Sequence, residues 1–120
     1  MIQNQYFKKH SLEHRQSISK TLLEKNCNHV PCVINIEGKD TLKLKKPINE
    51  LKILISGDFI LGELIALLRK RINISQTEGV YLFIDNRLIP TSCIMRNVYN
   101  KYKHQDGFLY IDLRFMETFG

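Results

Sequence analysis

The chain has 120 residues and a formal net charge of +6 at pH 7, and 43% of its residues are hydrophobic. These values are typical of a single globular domain and exclude a disordered chain. No apolar stretch approaches the roughly 20 residues of a transmembrane helix. Residues 1–15 lack the apolar segment of a secretory signal, so we expect a cytoplasmic protein. The scattered Lys and Arg residues, without an aromatic RNA-binding motif, argue against nucleic acid as a partner.

The first half of the chain predicts one helix and a pair of strands. Residues 11–26 have helical periodicity, with Ser11 as the N-cap and Asn26 as the stop. Residues 30–37 and 51–56 are rich in β-branched and apolar side chains, and a lysine-rich connection separates them. This pattern predicts a wide hairpin.

The second half predicts two helices and a strand before the final strand. Residues 58–72 place apolar side chains on one helical face, with Asp58 available as a cap. Residues 80–84 form a buried-type strand, and 85–87 form the polar turn after it. The segment that follows Pro90 predicts a second amphipathic helix.

The final strand is predicted at 108–115, with Leu109, Ile111, Leu113 and Phe115 on its core face. Phe108 lies on the opposite face among polar residues, so it needs a cover from either the N-terminal helix or a bound ligand. The order of elements predicts an α+β fold in which helices pack on a mixed sheet.

The residues with catalytic or metal-binding chemistry form no complete site. His10, Glu13 and His14 match H-x-x-E-H, a zinc-protease pattern. A catalytic zinc needs a third protein ligand, and His29 and His104 stand at no recognised spacing. We therefore expect a solvated helix face here. Phosphate-binding glycine loops and nucleophile elbows are absent from the sequence, which predicts a protein that is not an enzyme and binds no metal or cofactor.

The three cysteines are in no C-x-x-C spacing, and an odd number cannot all pair. We expect buried free thiols in a reducing compartment.

Several short motifs occur in an order that is typical of one family. They are His29-Val30-Pro31, Gly62 in the helix that ends Arg69-Lys70-Arg71-Ile72, Ile89-Pro90-Thr91-Ser92, Asp106-Gly107-Phe108-Leu109-Tyr110 and Phe119-Gly120. Over residues 7–120 the chain resembles the ubiquitin-like modifiers of autophagy, the autophagy-related protein 8 family, which includes GABARAP and microtubule-associated light chain 3. The resemblance implies a ubiquitin-like β-grasp with a mixed four-stranded sheet, packed helices and additional N-terminal helices. It divides the chain into an N-terminal helical extension (1–29), a core (30–115) and a flexible tail (116–120).

The resemblance makes Gly120 the lipid-conjugation residue. In this family an activating enzyme adenylates the terminal glycine, and conjugating enzymes carry it as a thioester. The glycine is then joined to the amine of phosphatidylethanolamine, which implies attachment to autophagosomal membranes. Glycine suits this chemistry because it lacks Cβ and its backbone can enter a narrow active site. A cysteine protease that processes or releases the glycine is a further implied partner.

The second implied function is the binding of receptors with aromatic-x-x-aliphatic motifs, as a strand added to the second strand. Matched by position, one pocket comprises Ile18, Leu22, Pro31, Val33, Lys52, Leu54 and Phe108. The other comprises Ile53, Ile55, Phe59, Leu64 and Leu67, and His29 and Arg71 complete the peptide-binding set. Ordinary core packing remains an alternative for each pocket residue taken singly.

Three residues depart from the family pattern and bear on partner choice. Family members usually have Arg at His29, a basic residue at Glu50 and Pro at Ser56. Glu50 is therefore expected to weaken the binding of motifs whose flanking acidic residues lie near it.

Two alternative functions stay open at this point. A modifier resembling autophagy-related protein 12 would also end in glycine but would couple to a protein lysine. An unconjugated β-grasp adaptor would give Gly120 no role. The segment from Asp106 to Tyr110 and the two pockets favour the lipid-linked type.

Overall fold

The computed structural model describes residues 5–37, 50–75 and 77–116. Within these ranges the order of elements is α1 (Gln5–Lys9), α2 (Leu12–Lys25), β1 (His29–Glu37), β2 (Glu50–Ser56), α3 (Leu61–Arg71), β3 (Gly79–Ile84), β4 (Arg87–Leu88), α4 (Met95–Tyr102) and β5 (Leu109–Met116). The predicted α+β fold with N-terminal helices is confirmed. None of the helices in these ranges has the length and apolar character to span a bilayer.

The strands form one five-stranded mixed sheet in the order β2-β1-β5-β3-β4. β1 pairs with β5 in parallel, and the other described strand pairs are antiparallel. The expected count of four strands is wrong because β4 has only two residues, too few to show a periodic pattern. Asp85 and Asn86 form the turn before it with positive φ, whereas Arg87, expected in the turn, belongs to β4.

Helices cover both faces of the sheet. On one face α3 and α4 pack on the main core, where Leu64, Leu68 and Met95 contact the inward side chains of the strands. On the other face α1 and α2 cover a smaller cluster that includes Val33 and Phe108. The predicted core face of β5 is confirmed, since Leu109, Ile111 and Leu113 are fully buried and the half-buried Phe115 packs against the same core. β5 begins one residue later and ends one residue later than predicted.

Of the two N-caps predicted from the sequence, the structure confirms the one for α2 and not the one for α3. Ser11 caps α2 as predicted, because its Oγ accepts a hydrogen bond from the backbone N–H of His14 at 3.1 Å. Asp58 does not cap α3, which begins only at Leu61. The Asp58 carboxylate instead accepts from the Arg96 guanidinium at 3.2 Å.

All three cysteines are free, but only Cys32 is fully buried. Cys27 is exposed in the turn between α2 and β1, so the expectation that the thiols are buried is wrong for this residue. Burial strongly raises the pKa of the Cys32 thiol, which keeps it protonated and unreactive.

Candidate functional site

Strand β2 lies at the edge of the sheet, beside α2. It pairs with β1 from Glu50 to Ser56, and its other edge pairs with no other described strand. Successive side chains of a strand point to opposite faces. Lys52 and Leu54 therefore face α1 and α2, whereas Ile53 and Ile55 belong to the core cluster under α3.

A groove of about 280 Å³ opens between β2 and the N-terminal helices. Its walls comprise Tyr6, His10, His14, Ile18, Leu22, Pro31, Cys32, Lys52, Ile53, Leu54 and Phe108. Six of the seven residues assigned to the first pocket lie in these walls. The seventh, Val33, is fully buried beneath Tyr6 and next to Phe108. Ile53, assigned to the second pocket, also reaches the groove.

Helix α2 supplies the outer wall of the groove. Ile18 and Leu22 are one helical turn apart, so they project from the same face. Ile18 is 39% exposed, and Leu22 is half-buried. The wall therefore presents apolar surface that is still open to a ligand.

Helix α1 supplies the inner wall through Tyr6, which sequence reasoning missed. The Tyr6 backbone N–H donates to the Glu50 carboxylate at 3.0 Å, and the Lys52 ammonium lies 3.9 Å from the Tyr6 ring centroid. The ring also meets Phe108 edge-on, with centroids 5.2 Å apart. Burial, with the nearby Asp106, raises the pKa of the Tyr6 hydroxyl. The sequence predicts that either an N-terminal helix or a bound ligand covers Phe108. The structure shows cover by the N-terminal helices through Tyr6 and Leu22, and Phe108 is only 2% exposed.

A buried ion pair attaches α2 to the loop before β5. The Arg15 guanidinium donates to the Asp106 carboxylate at 2.7 Å, and both residues are buried. Asp106 also accepts from the Tyr110 hydroxyl at 2.5 Å and from the Phe108 backbone N–H at 2.9 Å. Burial and the hydrogen bond to Asp106 raise the pKa of Tyr110. This network anchors the turn of α2 that precedes Ile18, one of the residues that line the groove.

The same attachment includes a close contact with a glycine. Ser19 donates a hydrogen bond to the backbone carbonyl of Asp106, directly before Gly107. Gly107 has φ of +89°, and a Cβ placed there would clash with the Ser19 hydroxyl oxygen. Only glycine can adopt this positive φ and also leave Ser19 in place without displacement of α2.

The histidines of the H-x-x-E-H pattern stand at the mouth of the groove. The His10 and His14 rings are stacked, with centroids 4.7 Å apart and planes inclined by 21°. Loss of hydration and the neighbouring His14, Lys52, Lys9 and Arg15 lower the pKa of His10. Within the described ranges, no group of three or more His, Cys, Asp or Glu side chains is placed to hold a metal ion.

The residues assigned to the second pocket divide between core and surface. Ile55 and Leu64 are buried in the main core, whereas Phe59 is 37% exposed and Leu67 is half-buried. Arg71 is exposed one turn beyond Leu67, at the end of α3.

Two further assigned residues lie apart from both groups. His29 is half-buried at the start of β1, where its Nδ1 is buried without a hydrogen-bond partner among the described residues. Gly120 lies outside the described residues.

Known proteins resemble this chain over most of its length. The sequence profile described as "Autophagy protein Atg8 ubiquitin like" matches residues 14–120. Autophagy-related protein 8 of Kluyveromyces lactis is 31% identical over 108 residues, which cover 90% of this chain and 85% of the relative. Autophagy-related protein 8A of Oryza sativa subsp. japonica is 31% identical over 120 residues, which cover 100% of this chain and 98% of the relative.

Solved structures agree with the sequence matches. The crystal structure of Trypanosoma brucei ATG8 has a TM-score of 0.83 at 28% identity, and the match covers 99% of this chain and 100% of that one. Plasmodium falciparum Atg8, solved in complex with a P. falciparum Atg3 peptide, has a TM-score of 0.77 at 25% identity, with 94% and 95% covered. The profile, the relatives and the fold all agree, and the chain belongs to the Atg8 family of ubiquitin-like autophagy proteins.

Proposed function

We propose that this Atg8-family chain acts as a modifier rather than an enzyme. In this proposal Gly120 is joined to phosphatidylethanolamine on autophagosomal membranes, and the groove beside β2 recruits receptors with aromatic-x-x-aliphatic motifs. Family membership supports conjugation. The observation that carries receptor binding is the edge of β2 that pairs with no other described strand and lies next to an apolar groove.

The spacing of the motif fits the two sides of β2. In an extended peptide, residues i and i+3 point to opposite faces because side chains alternate. A peptide added to the edge of β2 would therefore direct its aromatic residue to the side of Leu54 and its aliphatic residue to the side of Ile55. The first side is the groove of about 280 Å³, whose walls include Ile18 and Leu54 and would take up the aromatic ring.

On the second side, α3 and the segment before it supply the contact surface. Phe59 and Leu67 retain exposed apolar area, so we assign them the contact with the aliphatic residue. Ile55 and Leu64 are buried and form the floor beneath that surface. Arg71, on the same face as Leu67, would meet an acidic residue near the end of the motif. His29 would contribute near Ser56, its partner in the register of β1 and β2.

Replacement of one groove residue tests receptor binding. Leu54→Ala removes apolar contact with the aromatic residue and should weaken an aromatic-x-x-aliphatic peptide by about 1–3 kcal/mol, or roughly 5–150-fold in Kd. The matched control is Leu88→Ala, since Leu88 is 56% exposed on β4 at the opposite edge of the sheet. Isothermal titration calorimetry should show a loss only for Leu54→Ala. Equal affinities of the two folded variants would contradict the groove assignment.

The conjugation pathway defines the remaining partners. We propose that the chain is cytoplasmic until activating and conjugating enzymes transfer Gly120 to the lipid, and that a cysteine protease releases it. The complex of P. falciparum Atg8 with an Atg3 peptide supports an Atg3-type protein as one of these partners. The tail 116–120 would carry the carboxylate away from the core 30–115, while the extension 1–29 contributes walls of the groove.

Deletion of Gly120 tests conjugation. The deletion leaves the chain ending on Phe119, whose side chain an active site suited to glycine would not admit, so it should abolish attachment to membranes. Phe119→Ala keeps the glycine and should retain attachment. The lipid has two acyl chains, which anchor a protein far better than one. Fractionation of cells that express each variant measures the attached fraction, and mass spectrometry of the C-terminal peptide identifies the attached group. Membrane attachment of the deletion variant at the level of the intact chain would contradict the proposal. A peptide linked to a protein lysine would support the alternative modifier.

A further inference from the structure

The mouth of the groove carries two imidazole rings beside a lysine. His10, His14 and Lys52 all border the groove. The His10 ring lies between its neighbours, 4.7 Å from the His14 ring and 4.9 Å from the Tyr6 ring, measured between centroids. Imidazole is the side chain whose charge ordinarily changes near physiological pH. The charge at this mouth can therefore depend on pH.

Backbone contacts fix the pair in place. The Arg15 guanidinium donates from its Nε to the His10 carbonyl at 3.1 Å. The Ser11 hydroxyl accepts from the His14 backbone N–H at 3.1 Å. The residues at the junction of α1 and α2 are thus held together, with the two rings in stacked contact.

The charged groups around the pair are mostly cationic. Lys9 lies on α1, Arg15 on α2 and Lys52 on β2, and each of them lowers the pKa of His10, as does His14. Anions are nearby but already have partners. The Asp106 carboxylate pairs with Arg15, and the Glu50 carboxylate accepts from the backbone of Tyr6. A proton on the His10 ring therefore meets repulsion from these cations, while the Asp106 and Glu50 carboxylates are held by partners of their own.

We propose that the His10–His14 pair binds an acidic side chain of the docked peptide, an Asp or Glu next to the aromatic residue, and takes up a proton as it does so. This inference rests on the peptide-binding groove of the proposed function. The peptide carboxylate would bridge Lys52 and the protonated ring, and it would replace cation repulsion with a charge-assisted hydrogen bond. Because the linkage is reciprocal, the acidic peptide favours protonation and protonation favours the acidic peptide.

The direction of the pH effect follows from this linkage. Binding of an acid-flanked peptide should tighten as the pH falls from 8 to 6, by up to tenfold per pH unit for one proton taken up. A peptide with Asn in place of the flanking Asp gives the proton no partner, so its affinity should stay nearly constant. The usual pKa of Asp lies well below this window, so the peptide itself keeps its charge.

Titration calorimetry with two matched peptides tests the proposal. The peptides share an aromatic-x-x-aliphatic core and differ only in Asp or Asn before the aromatic residue. Measurements at pH 6 and pH 8, in buffers of different ionisation enthalpy, count the protons taken up. The intact chain should bind the Asp peptide at least threefold more tightly at pH 6, with net proton uptake, and should bind the Asn peptide equally at both.

Two variants at His10, whose pKa the neighbouring cations lower, distinguish a titrating ring from a fixed charge. His10→Gln should remove most of the pH dependence for the Asp peptide. His10→Lys supplies a permanent cation, so it should bind the Asp peptide tightly at both pH values with little proton uptake.

The outcomes separate this inference from the proposed function. If the Asn peptide binds but both peptides respond to pH alike, the proposal for the histidines is wrong while the groove assignment stands. An unchanged pH response in His10→Gln would also overturn it. If neither peptide binds at either pH, both the groove and the histidine proposal fail.

Discussion

Asp106→Ala should strongly destabilise the fold, because Asp106 compensates a buried charge. The Asp106 carboxylate accepts from Arg15 at 2.7 Å, and only 6% and 0% of the two side chains are exposed. Removal of the carboxylate leaves the guanidinium buried without its counter-ion. It also leaves the Tyr110 hydroxyl and the Phe108 backbone N–H without their acceptor.

The expected loss is about 3–5 kcal/mol in the free energy of unfolding, the range measured when one partner of a buried ion pair is removed. A chain of 120 residues has a free energy of unfolding of roughly 6–18 kcal/mol, so the loss is a large share of the total. The matched control is Asp58→Ala. The Asp58–Arg96 pair is joined at 3.2 Å, but 82% of the Asp58 side chain is exposed. An exposed pair contributes only about 0–1 kcal/mol.

Urea unfolding monitored by circular dichroism measures both variants. A third variant carries Arg15→Met in addition to Asp106→Ala, and it should recover at least about 1 kcal/mol because it removes the uncompensated charge. The reasoning would be refuted if Asp106→Ala and Asp58→Ala differ by less than about 1 kcal/mol. It would also be refuted if Arg15→Met destabilises the Asp106→Ala protein further.

Three further predictions concern other parts of the molecule. Burial and the nearby Glu37 raise the pKa of Asp112 to about 6, above its unfolded value of about 3.9. Ionisation of Asp112 therefore destabilises the fold as the pH rises from about 4 through about 6. Asp112→Asn should therefore add roughly 1–2 kcal/mol of stability at pH 7.5, after allowance for solvent screening, and the gain should vanish near pH 4 in urea titrations. Gly107→Ala should lower the free energy of unfolding by about 1–3 kcal/mol, because Gly107 has a positive φ and Ser19 blocks the position of a Cβ. Gly62→Ala is the control, since Gly62 lies inside α3 and a Cβ there would make only ordinary contacts. It should raise the free energy of unfolding by up to about 1 kcal/mol, as thermal unfolding can measure. Glu50→Ala removes the acceptor of the Tyr6 N–H and should speed hydrogen exchange at that amide by at least tenfold, and an unchanged rate would contradict the role of this contact.

Elements with a clear hydrophobic periodicity could be predicted from the sequence, whereas features that depend on contacts distant in sequence could not. The repeat of Leu64 and Leu68 predicted α3, and the structure buries both residues. The sequence predicts a start of α3 that is too early, because Asp58 is a favourable N-cap residue whereas the helix begins at Leu61. The first amides of α3 instead donate to the segment before α4, as Leu61 does to the Cys93 carbonyl at 2.8 Å. A sequence window around Asp58 cannot contain that partner.

The candidate site shows the same limit. The resemblance, not the residue pattern, selected Ile18 and Leu54 as residues of one pocket, and the structure places both at the groove. Tyr6 and Arg15 were missed. Arg15 meets Asp106, 91 positions further along the chain, and nothing in a helix of mixed polarity marks one Arg as buried. In the same way, only the structure shows that His10 and His14 are in contact beside Lys52.

The position of β5 in the sheet has a consequence for how the chain reaches its fold during synthesis. β5 is the last described strand, yet it lies at the centre, where it pairs with β1 on one side and β3 on the other. The β1–β2 and β3–β4 hairpins can form early, but no other described strand joins them. Contacts between segments so distant in sequence form slowly, and a nascent chain without β5 exposes two unjoined half-sheets. We therefore expect the domain to stay open on the ribosome until β5 has left the exit tunnel, and then to close in a single late step.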